Sequence, residues 1–222
     1  MDYVKKKLKS YNLHMIKTDK FKSTCVEIIF GNKIKKENIT INNFLSSILT
    51  YTSKEYNTKV KYARKIEDLY ASVISSNSYR VGNVLNMDFN LKVLDDKYTE
   101  SGLFKSAIDF LYETIFNPNV TNDMFDEDSF NVVKMAEKNQ IERIKEDQRM
   151  VATLKSLELF DSNSPISYNL KGYMPDLECI TRTNLYDYYK KIIKESVVDI
   201  FVVGNIDFDT TEKIIKEKFV FE

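Results

Sequence analysis

The sequence predicts an α+β fold in which a largely antiparallel sheet packs against helices on one of its faces. Segments with strand-like alternation and segments with helical periodicity are grouped along the chain and do not alternate one by one, which is typical of this class. The composition also suits a compact, helix-rich protein, with 43% hydrophobic residues, 5 glycines and 3 prolines among 222 residues. We therefore expect residues 1–222 to form a single α+β domain that is one part of something larger.

The first predicted elements are two strands followed by two helices. Asn12–Thr18 and Ser23–Gly31 alternate and are rich in β-branched residues, which favours strands. Ile41–Ser53 carries apolar residues at helical spacing and predicts an amphipathic helix. A second helix is predicted over Thr58–Ser72 by the same criterion.

The middle of the chain predicts a hairpin followed by longer helices. Val73–Leu94 returns to alternation around a Gly82-Asn83 turn, which indicates two antiparallel strands. Gly102–Phe116 has a helical apolar stripe and ends before a proline. Asp126–Phe160 predicts either one long helix or two abutting ones, with Phe130, Val133, Glu137 and Ile141 among the residues on one face.

The last elements are a helix, a strand and a closing helix. Thr183 is predicted to cap a helix over Asn184–Glu195. Val197–Val203 is apolar and predicts a buried strand, and Thr210–Phe219 predicts the final helix. We expect this strand, the hairpin and the two N-terminal strands to share one sheet, because their apolar faces have no other place to be buried.

Composition limits the compartment and the partners. The formal net charge is zero, with 33 lysines and arginines against 33 acidic residues, so charge gives no indication of nucleic-acid or membrane binding. Met1–Ser10 is basic but no signal-peptide apolar run follows it, and Val197–Val203 is too short to cross a bilayer. Cys25 and Cys179 have no paired spacing, which favours a reducing compartment. We therefore expect a cytoplasmic protein.

A stripe of polar residues runs along the helix predicted over Ile41–Ser53. Asn43 and Ser47 lie four residues apart, so their side chains stand one above the other on the helix, and Ser46 lies beside them. Two histidines at that spacing, with a glutamate between them, would form a helical zinc site. A polar face exposed to solvent is the simpler interpretation of this stretch taken alone.

Further landmarks surround the stripe in a fixed order. They are Phe44-Leu45 and Ile48-Leu49 in the same helix, Ile115-Phe116-Asn117-Pro118, Phe125, Glu137-Lys138, Leu185–Tyr189 and Val202–Asp207. With these landmarks and this succession of elements, the chain resembles one half of the insulinase-like (pitrilysin) family of inverted zincins, to which the mitochondrial processing peptidase belongs. The resemblance covers nearly the whole chain and implies that it is the N-terminal half of a longer protein of two halves.

The resemblance also implies that a metal site has been lost. In active members two histidines bind Zn²⁺ and the glutamate between them is the general base. Here Asn43 and Ser47 stand at the two histidine positions and Ser46 stands at the position of the base. Asparagine and serine are poor zinc ligands, and a serine does not accept a proton from water near neutral pH. The resemblance therefore implies neither zinc nor catalysis in this chain.

Two further observations bear on the metal. Active members complete the ligand set with a downstream glutamate, whose position here falls between Glu137 and Ile144, and the alignment favours Ile144. The chain contains a single histidine, His14, so it cannot supply two imidazole ligands. We therefore expect no metal or other cofactor.

The resemblance implies a role within an assembly. Family members close two halves around a peptide chamber, and in several assemblies one chain carries the zinc while the other supplies walls and substrate contacts. We expect a non-catalytic subunit that contacts peptide or unfolded protein beside an active homologue with an intact His-x-x-Glu-His motif. The substrate would add as an edge strand at Ser75, Ser76 and Asn77, where small polar side chains leave the backbone accessible. A similar sub-type is the bacterial peptidase-like protein encoded with an active partner and associated with aminopentanol modification of elongation factor P.

Two other functions stay open at this point. One is a zinc-dependent endopeptidase component whose site is completed by another chain. The other is a structural protein-interaction domain with no peptide chamber, and Ser75–Asn77 would then be an ordinary exposed edge strand.

Overall fold

The structure, a computed structural model, describes residues 2–220. Within that range the strands are β1 (Asp2–Lys7), β2 (Asn12–Lys17), β3 (Ser23–Lys33), β4 (Val73–Val81), β5 (Val84–Leu94), β6 (Val120–Thr121), β7 (Met124–Phe125) and β8 (Val197–Gly204). The helices are α1 (Lys36–Leu49), α2 (Lys59–Asp68), α3 (Leu103–Phe116), α4 (Glu127–Arg143), α5 (Gln148–Phe160), α6 (Met174–Cys179), α7 (Arg182–Glu195) and α8 (Phe208–Lys218).

One large sheet organises residues 2–220, with the strand order β1-β2-β8-β3-β5-β4. Strands β2 and β8 run parallel, and the other neighbouring pairs of this sheet in the described range are antiparallel. The two N-terminal strands, the hairpin and the late strand therefore share a sheet, and the α+β prediction is confirmed.

The helices cover one face of this sheet. Along β3, Val26, Ile28 and Phe30 are fully buried while Cys25 on the opposite face is exposed. This alternation follows from the two-residue period of a strand with one face against a core. Helices α1, α3, α7 and α8 contact the sheet, and their apolar side chains join those of the strands in one hydrophobic core.

Several predicted boundaries were wrong. Helix α1 begins at Lys36 rather than at Ile41, because the turn before Ile41 also packs on the protein and buries Ile39. Helix α7 is capped by Thr181, not by Thr183, since the side chains of Thr181 and Asn184 each accept a hydrogen bond from the other's backbone N–H.

The region predicted over Asp126–Phe160 is two helices, α4 and α5, joined by the 3₁₀ turn Ile144–Glu146. They differ in burial, because α4 packs on α1 whereas none of the side chains of α5 is fully buried. The end of α5 leaves Leu159 and Phe160 largely in solvent. The sequence had not predicted strand β1 or helix α6.

Helix α1 contacts both helix α4 and strand β4. On one side α4 crosses it, with the Phe44 and Phe130 ring centroids 4.9 Å apart. On another side strand β4 lies next to it, where Asn42 Nδ2 donates to Ser78 Oγ at 2.9 Å.

Among the described helices, none has both the length and the apolar character needed to cross a membrane.

Candidate functional site

The polar stripe of α1 does not face open solvent. Ser46 is only 4% exposed, and Asn43 and Ser47 are half-buried. Helix α4, strand β4 and residues Leu170 and Lys171 surround this side of the helix, which explains the burial. A solvent-exposed polar face, the simpler interpretation of the sequence, is therefore wrong.

Each residue of the stripe makes a hydrogen bond. Ser47 Oγ donates to Glu137 Oε1 at 2.6 Å, and Asn43 Nδ2 donates to the Leu170 carbonyl at 2.8 Å. Ser46 Oγ donates back to the Asn43 carbonyl at 2.9 Å, which is the usual way a serine satisfies its hydroxyl inside a helix. The stripe thus joins α1 to α4 and to the segment that precedes α6.

The acidic residue that faces the stripe is Glu137, not Ile144. Glu137 lies in the middle of α4, where it contacts Ser47 directly. Ile144 lies beyond the end of α4, in the 3₁₀ turn Ile144–Glu146, and it does not line the cavity beside the stripe. The alignment that favoured Ile144 was therefore displaced by about two helical turns. Glu137 was already the acidic member of the otherwise apolar stripe Phe130, Val133 and Ile141, and that exception is the sequence signal that could have identified it.

Glu137 is buried to an unusual degree for a carboxylate, with 4% of its surface exposed. Burial raises the pKa of Glu137 above its ordinary value, because the charged form loses hydration. The Ser47 hydrogen bond and the positive charge of Lys171 act in the opposite direction and lower that pKa. The net direction is upward, so the protein holds this proton to a higher pH than a free glutamate does.

Strand β4 is an edge strand, paired with β5 on one side only within the described residues. Ser76 points toward α1, where its Oγ donates to the Ser46 carbonyl at 2.7 Å. Ser75 and Asn77 are exposed, although the Asn77 N–H already donates to Asp88 Oδ1 at 2.8 Å. The predicted edge position of Ser75, Ser76 and Asn77 is thus present in the fold, and their binding of a peptide stays a prediction.

A polar cavity of about 200 Å³ brings the two predicted groups together. It is lined by Asn43, Ser46, Ser47, Ser76, Asn77, Ser78, Glu137, Gln140, Leu170 and Lys171. The stripe of α1 and the edge strand, which are about thirty residues apart in the sequence, therefore form walls of one cavity. Of the predicted stripe and edge-strand residues, Ser75 alone lies outside the lining, and Ile144 lies outside it as well.

The residues of this cavity do not fit zinc. At the stripe the available donors are an amide and two hydroxyls, and Glu137 is the single carboxylate in the lining. Zn²⁺ in proteins is held by three or four imidazole, thiolate or carboxylate ligands. Across residues 2–220, no group of three or more His, Cys, Asp or Glu side chains is arranged to hold a metal ion.

The single histidine lies elsewhere. His14 Nε2 is 3.1 Å from Asp199 Oδ1, and its Nδ1 is 2.8 Å from the Tyr3 hydroxyl. The imidazole also stacks on Phe201, with ring centroids 4.3 Å apart. These contacts join β1, β2 and β8, so His14 has a structural environment and no part in the polar cavity.

The sequence did not identify the contribution of the segment before α6. Leu170 supplies a carbonyl and Lys171 a positive charge, and both lie between α5 and α6, where the sequence predicted no helix or strand. Tyr173 anchors this segment through its N–H, which donates to Thr40 Oγ1 at 2.9 Å. No periodicity links residues 170–173 to α1, so only the folded chain shows that they meet.

Comparisons with known proteins agree with this architecture. Over its whole length the chain is 24% identical to a probable inactive metalloprotease, YmfF, of Bacillus subtilis strain 168, and it covers 53% of that protein. A solved structure of a conserved protein from Enterococcus faecalis V583 matches all of the chain at 28% identity with a TM-score of 0.95, over 53% of its own length. The peptidase M16 inactive domain from Pseudomonas fluorescens matches 98% of the chain at 13% identity with a TM-score of 0.74, over 50% of its length. No protein-family model matches the sequence.

These similarities confirm the resemblance to insulinase-like peptidases, and the curated relative is itself named a probable inactive metalloprotease. The match to the Pseudomonas domain carries the fold alone, because the sequence identity is low. The chain spans about half the length of the curated relative that it matches.

Proposed function

We propose that this chain is a non-catalytic peptide-binding part of an insulinase-like peptidase homologue, working beside a catalytically active partner. One observation carries the proposal: the altered motif of α1 and the edge strand β4 line the same cavity. An extended peptide that pairs with β4 would therefore pass directly over Asn43, Ser46 and Ser47, where an active enzyme would cut.

In this role the chain holds a peptide and leaves it intact. Main-chain hydrogen bonds from an exposed strand edge provide affinity for extended peptides whatever their sequence. Hydrolysis needs a group that activates water, and the hydroxyl of Ser46 does not take up a proton near neutral pH. The active partner, which would carry an intact His-x-x-Glu-His motif, and the peptide chamber between the two chains belong to this proposal.

The proposal includes a cytoplasmic location. Cys25 and Cys179 are both free thiols, and free thiols are typical of proteins kept in a reducing compartment. The chain's balanced charge gives no indication of nucleic acid or an anionic membrane as a partner.

A backbone-blocking experiment tests peptide addition at β4. The probe is the acetylated, amidated peptide Ser-Val-Thr-Gln-Thr-Val-Ser, made unmodified and in two forms N-methylated at alternate residues. A strand edge takes hydrogen bonds from alternate peptide N–H groups only, so one N-methyl form should lose most of its affinity and the other should keep it. Calorimetric titration of the chain gives the three affinities.

Hydrogen exchange supplies the location. On peptide binding, amides of β4 around Ser75–Asn77 should gain protection, and amides of β1, the opposite edge of the same sheet, should not. Equal affinity of both N-methyl forms, protection of β1 in place of β4, or no peptide binding at all would each reject the proposal.

One observation favours the alternative of a zinc site completed by another chain. Glu137, the carboxylate that an active site would need, is present and faces the stripe. Metal analysis of the complex with the active partner, prepared with the wild-type chain and with Glu137→Gln, distinguishes the two. Zinc bound at the junction and lost with Glu137→Gln would support the alternative.

A further inference from the structure

Glu137 is a buried carboxylate without a cation. Its Oε1 accepts the hydrogen bond from Ser47, and no other described residue donates to it. No lysine, arginine or histidine nitrogen in residues 2–220 forms an ion pair with it. Buried carboxylates in proteins are normally paired with a positive group, because an isolated charge loses its hydration without compensation. A positive group bound beside Glu137 would supply that compensation and favour the charged form of the carboxylate.

The cavity around Glu137 offers further acceptors. Asn43 Oδ1 is buried and has no donor, and the hydroxyl oxygens of Ser76 and Ser78 lie along the same wall. Several acceptors around one carboxylate suit a compact cation with several N–H donors. The cavity volume of about 200 Å³ also exceeds that of a single water several-fold.

The nearest positive residue does not occupy this position. Lys171 lines the cavity and its charge lowers the pKa of Glu137, yet its side chain is exposed and forms no ion pair with Glu137 among the described contacts. Lys171 lies on the segment that closes one side of the cavity, so it stands at the rim rather than at the carboxylate.

We propose that the cavity binds a primary ammonium group. The ammonium would donate to Glu137 and to the hydroxyl and amide oxygens around it, and it would come from a lysine side chain or from the amino terminus of a peptide. This inference rests on the proposed function, since it gives the peptide held at β4 a preferred side chain. The ammonium, positively charged like a zinc ion, would bind at the position where active members of the family hold their metal.

The test uses matched peptides. The capped peptide Ser-Val-Thr-Gln-Thr-Val-Ser is compared with the same peptide carrying Lys, or the uncharged norleucine, at its centre. The Lys peptide should bind the wild-type chain about tenfold more tightly than the Gln peptide or the norleucine peptide, because only the Lys side chain can form a charge-assisted hydrogen bond to the buried carboxylate. A fourth peptide, with Gln at the centre and a free amino terminus, reports the other source of the ammonium.

Variants assign the effect to Glu137. Glu137→Gln keeps the shape of the side chain and should abolish the preference for Lys, whereas Glu142→Gln on the same helix should retain it, since Glu142 is half-exposed and pairs with Lys138. Lys171→Met should strengthen binding of the Lys peptide by removing a competing positive charge. Equal affinity for the Lys, Gln and norleucine peptides in the wild-type chain overturns the inference and leaves the proposed function intact.

Titration with a simple amine distinguishes the ammonium site from the proposed peptide-binding function. n-Butylammonium is titrated into the chain and followed by NMR at Ser46, Ser47 and Glu137. If no peptide binds but n-butylammonium shifts these resonances in the wild type and not in Glu137→Gln, the ammonium site stands and the proposed function fails. If neither the peptides nor n-butylammonium bind, both are rejected.

Discussion

The two sides of helix α1 differ in what they contact. On the apolar side Phe44, Leu45 and Ile48 are at most 2% exposed and belong to the main core. On the polar side Asn43 and Ser47 reach across a cavity to Leu170 and Glu137. The first side determines where the helix lies in the fold. The second can exchange its chemistry while the helix stays in place.

The polar side of α1 nevertheless also contains buried residues, and these are hydrogen-bonded. Asn42 is 2% exposed and satisfied by Ser78 and by the Tyr188 hydroxyl. Ser46 is similarly enclosed between the Asn43 carbonyl and Ser76. Because buried polar groups are costly only when they lack a partner, this hydrogen-bonded interior stabilises one arrangement of α1 and β4.

The largest effect is expected on the apolar side. Phe44→Ala should lower the free energy of unfolding by about 3–5 kcal/mol, because it removes a fully buried ring that stacks near Phe130. Urea denaturation followed by circular dichroism measures the change. Val132→Ala, at a position of α4 that is 51% exposed, is the matched control and should stay within about 0.5 kcal/mol of the wild type. A loss below about 1 kcal/mol for Phe44→Ala would show that the two sides do not differ in this way.

A second change tests whether the polar side still has the geometry of a metal site. Asn43→His with Ser47→His places two imidazoles one helical turn apart, opposite the carboxylate of Glu137. Three ligands should bind Zn²⁺, and zinc at a hundred times its dissociation constant should stabilise the variant by about 2.7 kcal/mol.

The measurement is thermal unfolding of this variant with and without zinc, supported by metal analysis. Adding Glu137→Gln to the two histidines is the control and should remove most of the zinc effect. An unchanged melting temperature in zinc would mean that Asn43, Ser47 and Glu137 do not converge as the structure shows.

The smallest effect concerns pH. Because burial raises the pKa of Glu137, the folded protein holds this proton to a higher pH than the unfolded chain does. The free energy of unfolding should therefore fall as pH rises from the ordinary glutamate pKa through the raised one, and then level off. Glu137→Gln lacks this titration, so its stability relative to the wild type should rise across the same window.

Urea titrations from about pH 4 to pH 8 would show this difference. Val132→Ala, an uncharged change on the exposed side of α4, should run parallel to the wild type. A Glu137→Gln curve that also runs parallel would mean that Glu137 titrates alike in the folded and unfolded chain.

The spacing of apolar residues in the sequence was sufficient to predict most of the strands and helices. The hairpin of β4 and β5 was predicted with its turn at Gly82-Asn83, because alternation and a glycine turn are local signals. The predicted start of α1 was wrong by five residues, because the residues before Ile41 are mostly polar and show no helical apolar pattern, although they form the first turn of the helix. Strand β1 was missed because a lysine-rich edge strand buries too little to alternate clearly.

The candidate site was only partly predictable. Asn43, Ser46 and Ser47 could be identified because their spacing on α1 is that of a helical zinc motif, although their side chains are not zinc ligands. Glu137 could be placed only within a range, because a position on another helix depends on how α4 crosses α1. The contribution of Leu170 and Lys171 is set by where an irregular segment lies, and a sequence contains no periodic signal for that.

The position of β8 has a consequence for the order in which the protein can fold. β8 lies between β2 and β3, so Ile200 pairs with Leu13 on one side and with Ile28 on the other. Before residues 197–204 exist, the sheet can be only two separate pieces, the β1–β2 hairpin and the β3–β5–β4 unit. During synthesis both pieces stay unpaired at these edges until β8 is made, which begins 180 residues after the end of β2 and 103 residues after the end of β5. Such distant pairings close slowly, so a nascent chain of this protein should present a long-lived target for chaperones until residue 204 has left the ribosome.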